Sequence, residues 1–252
     1  MRKRRRLGVY PLTLAALALA PTVLGAAPQP VQFRAADGVT VYGDFYSNGR
    51  PHRPLILLFH QAGSNRGEYA TIAPRLVGAG FNCLAIDQRA GGEMWGRKNE
   101  TVEHLGHSAP YLEAERDLQA ALDWARSRKE KGKVILWGSS YSASLVFALA
   151  AHHPDEVSGL LAFSPGEYFE HKDMIRQAAA QVHVPVFITC GGSAQEAANA
   201  RPIYEAVASK EKVFFIPPIG VHGSKTLRTD SDPKGAAGNW REVLSFLKKN
   251  FG

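Results

Sequence analysis

The sequence has little cysteine: Cys83 and Cys190 are the only two cysteines in 252 residues. This count excludes the class of small secreted domains that a framework of disulfides holds together. Internal repeats are absent, and after residue 30 there are no blocks of like charge and no low-complexity segments. The hydrophobic share of 45% and the charged share of 21% are ordinary for a globular chain. They exclude a disordered, collagen-like or coiled-coil protein.

The net charge of +7 first suggests a nucleic-acid-binding protein, but most of the excess lies in one place. Residues 2–6 are all basic, and without them 25 basic residues face 23 acidic ones. No basic stripe runs along the rest of the chain. We therefore expect no nucleic-acid partner.

The amino-terminal segment has the organisation of a secretory signal peptide. Its basic start precedes the apolar run 7–24, and the small residues Gly25, Ala26 and Ala27 follow. Pro11 and Pro21 within the run disfavour a permanent membrane helix, although an uncleaved anchor is the alternative. We therefore predict a signal peptide over residues 1–26, a single domain over 27–252, and a periplasmic or secreted protein without a stable membrane anchor after cleavage.

After residue 30 the pattern is a hairpin followed by alternating strands and helices. The hairpin is predicted over Val31–Tyr46, around Asp37-Gly38. The later strands are short, apolar and non-alternating, as parallel strands covered on both faces are. They are predicted at 54–60, 82–87, 133–138, 158–163, 184–190 and 212–217, with helices at 68–79, 111–127, 143–151, 173–181, 201–209 and 239–250. This order predicts an α/β fold, with a mainly parallel sheet flanked by helices on both faces.

The segment Gly138-Ser139-Ser140-Tyr141-Ser142 joins a predicted strand to a predicted helix by a tight turn. A serine on such a turn is exposed as a nucleophile when the residues two before and two after it are small. Ser140 satisfies this condition with Gly138 and Ser142, whereas Ser139 has Trp137 two residues before it. Ser140 is therefore the predicted nucleophile.

Three segments in this order, His60-Gln61-Ala62-Gly63, the turn at Ser140, and Val221-His222-Gly223, resemble those of α/β-hydrolases. The likeness is to the small, nearly lidless type that includes dienelactone hydrolases and compact esterases, and it covers roughly residues 31–252. It implies an α/β-hydrolase sheet with a minimal cap, a small-molecule acyl substrate, and neither a cofactor nor a metal. Dienelactone hydrolases have a cysteine nucleophile where this chain has serine, so their substrate is not carried over.

The resemblance also implies roles for particular residues. His222 would be the base, and the backbone N–H groups of Gln61 and Tyr141 would form the oxyanion hole. The acid would follow strand 184–190, where this chain departs from the family's usual aspartate. Glu196 is the nearest carboxylate there and is favoured; Glu167, after the preceding strand, is the alternative.

The long segment Gln88–Ala109 leaves a strand at the edge where parallel sheets bind ligands. Trp95 within it is predicted to contact substrate, with an ordinary surface loop as the alternative. The resulting prediction is a secreted serine hydrolase that cleaves an ester or related acyl bond through an acyl-enzyme. A peptidase or amidase with the same triad, and a non-catalytic binding protein of the same fold, are the alternatives; the oligomeric state is left open.

Overall fold

The computed structural model describes residues 27–47, 49–50, 52–128 and 132–252. The predicted signal peptide, residues 1–26, lies outside these described residues. In the part of the chain that is described, no helix is long and apolar enough to span a membrane.

Eight strands form a single sheet in the order β1-β2-β4-β3-β5-β6-β7-β8. They are β1 Gln29–Arg34, β2 Thr40–Tyr46, β3 Leu55–Phe59, β4 Asn82–Asp87, β5 Val134–Ser139, β6 Gly159–Phe163, β7 Val186–Thr189 and β8 Lys212–Phe215. The β1–β2 hairpin is antiparallel and β2 runs antiparallel to β4, whereas all later pairs are parallel. The predicted strands are confirmed to within about two residues at their ends. The carboxyl ends of β3 to β8 share one edge of the sheet.

Helices cover both faces of the sheet, as predicted. They are α1 Ile72–Gly78, α2 Glu100–Leu105, α3 Glu115–Ser127, α4 Tyr141–His152, α5 Met174–Ala179, α6 Ala194–Ala206 and α7 Ala236–Phe251. Helices α1 and α7 pack on the face to which Ile56 and Leu58 of β3 point. Helices α3 to α6 pack on the other face, against Leu57 and Phe59. Alternate residues of a strand thus enter two separate cores, which explains its continuous apolar sequence.

Helices α6 and α2 differ most from the prediction. Helix α6 begins at Ala194, seven residues before the predicted start, because Ser193 caps it by accepting the Glu196 N–H at 3.2 Å. Helix α2 lies within the segment that was predicted to be a loop. Asn99 caps its start and Gly106, with φ of 85°, ends it.

Only α5 and its flanking loops lie between β6 and β7, so this connection contributes no cap domain. The prediction of a minimal cap therefore agrees with the described chain at this position. No cap domain from this connection therefore covers the carboxyl edge of the sheet.

Both cysteines are expected to remain unpaired, even in an oxidising compartment. Cys83 in β4 and Cys190 after β7 are buried and free. Three strands, β3, β5 and β6, separate β4 from β7, a distance on the order of 19 Å at about 4.8 Å per strand. A disulfide needs Cα atoms within roughly 7 Å. Alkylation of unfolded, unreduced protein should add two groups by intact mass, and a mass without them would contradict the prediction.

Candidate active site

The turn between β5 and α4 holds Ser140 in a strained backbone conformation, with φ of 60° and ψ of −124°. A serine rarely adopts a positive φ, and such strain persists where the surrounding structure enforces it. The strand and helix backbones approach so closely that a Cβ on Gly138 would lie 2.3 Å from the Ser142 carbonyl oxygen. This contact explains the glycine two residues before Ser140. The tight turn places the hydroxyl of Ser140 at the carboxyl edge of the sheet.

His222 and Glu196 continue from Ser140 as a chain of hydrogen bonds. The Ser140 hydroxyl lies 2.9 Å from His222 Nε2, and His222 Nδ1 lies 3.0 Å from Glu196 Oε1. A carboxylate can only accept, so Nδ1 carries the ring proton and Nε2 is left to accept from the serine. In this tautomer the imidazole can take the serine proton, which is the arrangement of an acyl-transfer triad.

Glu196 is held as a carboxylate in the first turn of α6. Burial alone would raise its pKa, but hydrogen bonds from His222, from the Ser164 hydroxyl and from the Gly191 N–H lower the pKa to about 2. The Ser164 and Gly191 donors lie 2.7 and 2.6 Å from Oε2. The start of a helix also favours a negative charge. Glu196 therefore stays ionised well below neutral pH.

The carboxylate of Glu167, the alternative acid, forms hydrogen bonds with different partners. Its carboxylate accepts the backbone N–H groups of Ile175 and Arg176, at 3.0 and 2.9 Å, at the start of α5. The structure thus brings Glu196, and not Glu167, to His222. The catalytic roles of Ser140, His222 and Glu196 stay predictions.

The structure corrects the prediction for Gln61. Its backbone N–H donates to Glu68 Oε2 at 2.9 Å, so it is not free to bind an oxyanion. Glu68 lies in the 3-10 turn Arg66–Tyr69 and is fully buried. The prediction failed because the side chain that takes the N–H is seven residues away.

The next N–H, that of Ala62, faces the opposite way from the Gln61 carbonyl, since a trans peptide directs the two groups oppositely. That carbonyl points inward, where it lies 2.8 Å from His60 Nδ1 and accepts the Ser64 N–H at 3.3 Å. Among the described residues, the Ala62 N–H has no hydrogen-bond partner. The Tyr141 N–H, at the first position of α4, lacks an acceptor in its own helix.

Two residues near the triad were missed by the sequence reasoning. The Ser164 hydroxyl donates to Glu196 and accepts the Gly223 N–H at 2.9 Å, so it ties the acid to the loop of His222. Tyr168 donates to the Ser164 carbonyl at 2.8 Å. Burial and the charge of Glu196 raise the pKa of Tyr168 to about 12, so it remains a neutral phenol. Ser164 directly follows β6, at the same edge as Ser140, and this position was the available signal.

Trp95 is fixed within the segment that follows β4. Its indole N–H donates to the Ser64 hydroxyl at 2.9 Å, and the Arg228 guanidinium lies 4.1 Å from the ring centroid. These contacts give Trp95 a structural function in the loop, and substrate contact stays a prediction. The neighbouring Met94 accepts a weak hydrogen bond from the Gln61 side chain at 3.7 Å.

The described residues contain no group of three or more side chains suited to bind a metal ion. His104 lies in α2, and its ring stacks on Tyr42 with centroids 4.7 Å apart. His104 Nδ1 is 2.8 Å from the Glu100 carbonyl oxygen.

His60 makes folding stability depend on pH. It is fully buried, and burial lowers its pKa from 6.5 to about 4. Its Nε2 accepts the Gln88 N–H at 2.9 Å, so the folded protein needs the neutral ring. Between these two pKa values the unfolded chain binds a proton that the folded protein does not. The stabilisation is therefore complete above pH 6.5 and declines as pH falls towards 4, by roughly 3 kcal/mol.

This dependence can be measured as the free energy of unfolding at pH 7, 6, 5 and 4.5. A His60→Gln variant should be less stable at pH 7 and should show a flatter slope between pH 6.5 and 5. Equal slopes for the two proteins would contradict the assignment to His60.

A mainly parallel sheet with a positive-φ serine between its central strand and the next helix defines an α/β-hydrolase. The family model described as "Serine aminopeptidase, S33" matches residues 50–175, which is half of the sequence. The chain belongs to this family, and the predictions of an α/β-hydrolase fold and of a serine hydrolase are confirmed at the level of the family. The matched region contains Ser140, whereas Glu196 and His222 lie beyond it.

Solved structures of the same fold cover nearly the whole chain. An esterase from Pyrococcus furiosus matches with a TM-score of 0.67 and 19% identity, over 89% of this chain and 93% of that one. A dienelactone hydrolase from Anabaena variabilis matches with a TM-score of 0.68 and 19% identity, over 90% of this chain and 100% of that one. Similarity at these identities concerns the fold alone.

Curated relatives match over about half of the chain. A monoacylglycerol lipase from Mycolicibacterium smegmatis is 26% identical over 133 residues, 53% of this chain and 45% of the relative. A quorum-quenching protein from Acinetobacter baumannii is 30% identical over 129 residues, 50% of this chain and 40% of the relative. The matched segments thus span less than half the length of these relatives.

Proposed function

We propose that this protein is a carboxylic ester hydrolase that acts on a small acyl substrate through an acyl-enzyme. The observation that carries the proposal is the hydrogen-bonded chain of Ser140, His222 and Glu196, with distances of 2.9 and 3.0 Å. The strained backbone of Ser140 supports it independently, since such strain persists mainly at functional sites.

In the proposed reaction, Ser140 Oγ attacks the ester carbonyl while His222 Nε2 takes its proton. The negative charge that develops on the carbonyl oxygen is stabilised by the N–H groups of Ala62 and Tyr141. His222 then gives the proton to the leaving alcohol, and the acyl group remains on Ser140. A water molecule, deprotonated by His222, releases the acid and restores the serine. Glu196 stabilises the imidazolium in both halves of the reaction.

A second candidate is an aminopeptidase or amidase, because the family description names serine aminopeptidases. The same groups can attack an amide, so the triad alone does not distinguish the two leaving groups. The similarity to a monoacylglycerol lipase supports an ester substrate, with monoacylglycerols as one class to test.

Labelling with a fluorophosphonate probe tests the enzyme class, because the probe reacts with an activated serine. We expect stoichiometric labelling of Ser140, identified by peptide mass. A panel of p-nitrophenyl esters, monoacylglycerols and aminoacyl amides then tests the substrate class, with turnover expected on the esters. No labelling would favour the non-catalytic binding protein, and turnover of amides alone would favour the aminopeptidase.

We also propose that the protein is exported and that the segment 1–26 is removed. The basic start, apolar run and small-residue exit support this proposal. The amino-terminal sequence of protein recovered from the periplasmic fraction tests it, with a mature chain that begins just after Gly25 or Ala26 as the expected result. An intact amino terminus would favour the uncleaved anchor.

A further inference from the structure

The carboxyl group of Glu68 joins three loops that meet behind Ser140. Its Oε2 accepts the Gln61 N–H at 2.9 Å, in the loop that follows β3. Its Oε1 accepts the hydroxyl of Ser139, the residue before the nucleophile, at 2.6 Å. Ser139 Oγ in turn accepts the Ser224 N–H at 2.9 Å, two residues after His222. One side chain thus connects the oxyanion loop, the nucleophile turn and the loop of the base.

The hydrogen bonds around Glu68 require the ionised form. The Gln61 N–H must find an acceptor in the carboxyl group, and the Ser139 hydroxyl already accepts from Ser224. If Glu68 were protonated and donated to Ser139, the serine proton would have no acceptor in this arrangement. Burial raises the pKa of Glu68, and the bonds from Ser139 and Gln61 oppose this shift.

A buried carboxylate without an arginine partner is costly to the fold. The buried Asp87 and Asp117 each form an ion pair with an arginine, Arg66 and Arg89 respectively. Within the described residues Glu68 has no such pair, and Arg228 donates instead to its backbone carbonyl, at 3.0 Å. Packing alone would favour a neutral side chain here. The cost indicates that the carboxylate serves the site.

The bond to Gln61 has a direct consequence for the oxyanion donor. Glu68 fixes the peptide between His60 and Gln61, and His60 and Ser64 fix the carbonyl of the next peptide. With both planes held, the Ala62 N–H keeps a single direction. Without Glu68, the Gln61 N–H is a buried donor that needs another acceptor. The loop can supply one only if its peptide planes rotate, which changes the direction of the Ala62 N–H.

We propose that Glu68 is a positioning residue for acyl transfer. It fixes the positions of the Ala62 N–H, Ser140 and His222 relative to one another. The proposal rests on the proposed esterase function. Glu68 contacts none of the reacting atoms and acts through Gln61 and Ser139.

The test compares Glu68→Ala and Glu68→Gln with the wild-type protein, using kcat per active site titrated with a fluorophosphonate. Loss of a correctly placed oxyanion donor lowers kcat by about 100-fold. We expect this loss in Glu68→Ala, with KM within about threefold of the wild type. Glu68→Gln should retain kcat to within about tenfold, because its amide oxygen can still accept from Gln61 and hold the oxyanion loop, although its NH2 group cannot accept the hydroxyl of Ser139.

Asp117→Asn is the matched control, since it changes an equally buried carboxylate that is hydrogen-bonded to Arg89. It should lower Tm and leave kcat per titrated site within about twofold. The same outcome in Glu68→Ala, a lower Tm with kcat within threefold, would overturn the proposal.

Ser139→Ala is a second variant that removes one side of the link and leaves the carboxylate in place. We expect kcat to fall by about tenfold at unchanged KM, and an unchanged kcat would also overturn the proposal. A wild-type protein that neither labels nor hydrolyses esters would refute the proposed function itself, which distinguishes the two failures.

Discussion

Replacement of Ser140 by alanine is expected to lower kcat by about a million-fold, to the level that substrate binding and the oxyanion donors alone provide. The reason is chemical, because the Ser140 hydroxyl is the only hydroxyl that contacts His222 Nε2 in the described chain. The fold should survive, since the substitution removes one oxygen atom and keeps the Cβ. Ester hydrolysis and fluorophosphonate labelling measure the loss, and circular dichroism checks the fold.

Ser139→Ala is the control for the assignment of the nucleophile. Ser139 is fully buried and bonds to Glu68, away from His222. This variant should still label with the probe and turn over ester, with only the roughly tenfold reduction expected from the loss of its link to Glu68. A dead Ser139→Ala beside an active Ser140→Ala would show that the nucleophile is misassigned by one residue.

Glu196→Gln is expected to lower kcat by about 10⁴-fold with little change in KM. An amide can donate to His222 Nδ1 and thereby favours the wrong tautomer, in which Nε2 carries the proton and cannot accept from Ser140. The substitution also removes the charge that stabilises the imidazolium. Steady-state kinetics on the best ester of the panel would measure both constants.

Glu167→Gln is the matched control, because it makes the same chemical change at the alternative acid. Its carboxylate holds the start of α5 and does not contact His222. We expect kcat within about twofold of the wild type and a small loss of stability from the weaker contacts to the helix. Near-normal kcat in Glu196→Gln together with an inactive Glu167→Gln would reverse the assignment.

The sheet could be predicted because parallel strands buried on both faces have continuous apolar sequences. The prediction for β4 matches its observed residues. Ser140 could be found for a related reason. A Cβ on Gly138 would lie 2.3 Å from the Ser142 carbonyl oxygen, so the turn requires a small residue there, and the sequence shows this requirement. Glu196 was predicted as the acid although the predicted start of α6 lies seven residues after the observed one. The signal for its earlier start, a serine three residues before a glutamate, was present at Ser193.

The oxyanion loop could not be predicted in the same way. Whether the N–H of Gln61 or that of Ala62 is free depends on a hydrogen bond to Glu68. The local sequence pattern does not show which groups the side chain of a glutamate contacts. Glu68 was predicted within a helix that begins there, yet it lies in a 3-10 turn before α1. Buried polar contacts between loops are set by the tertiary structure, so they fall outside what pattern and propensity can show.

The edge position of the acid has a consequence for heat inactivation. Glu196 lies in α6, which packs against β7 and the four-residue edge strand β8. None of the residues of β8 is buried. Ser140 instead follows β5, in the buried middle of the sheet. Segments at a poorly protected edge open locally at a lower free-energy cost than the centre. Fraying of this edge would detach the carboxylate from His222 while the nucleophile turn stays folded, so catalysis would fade at temperatures below the main melting transition.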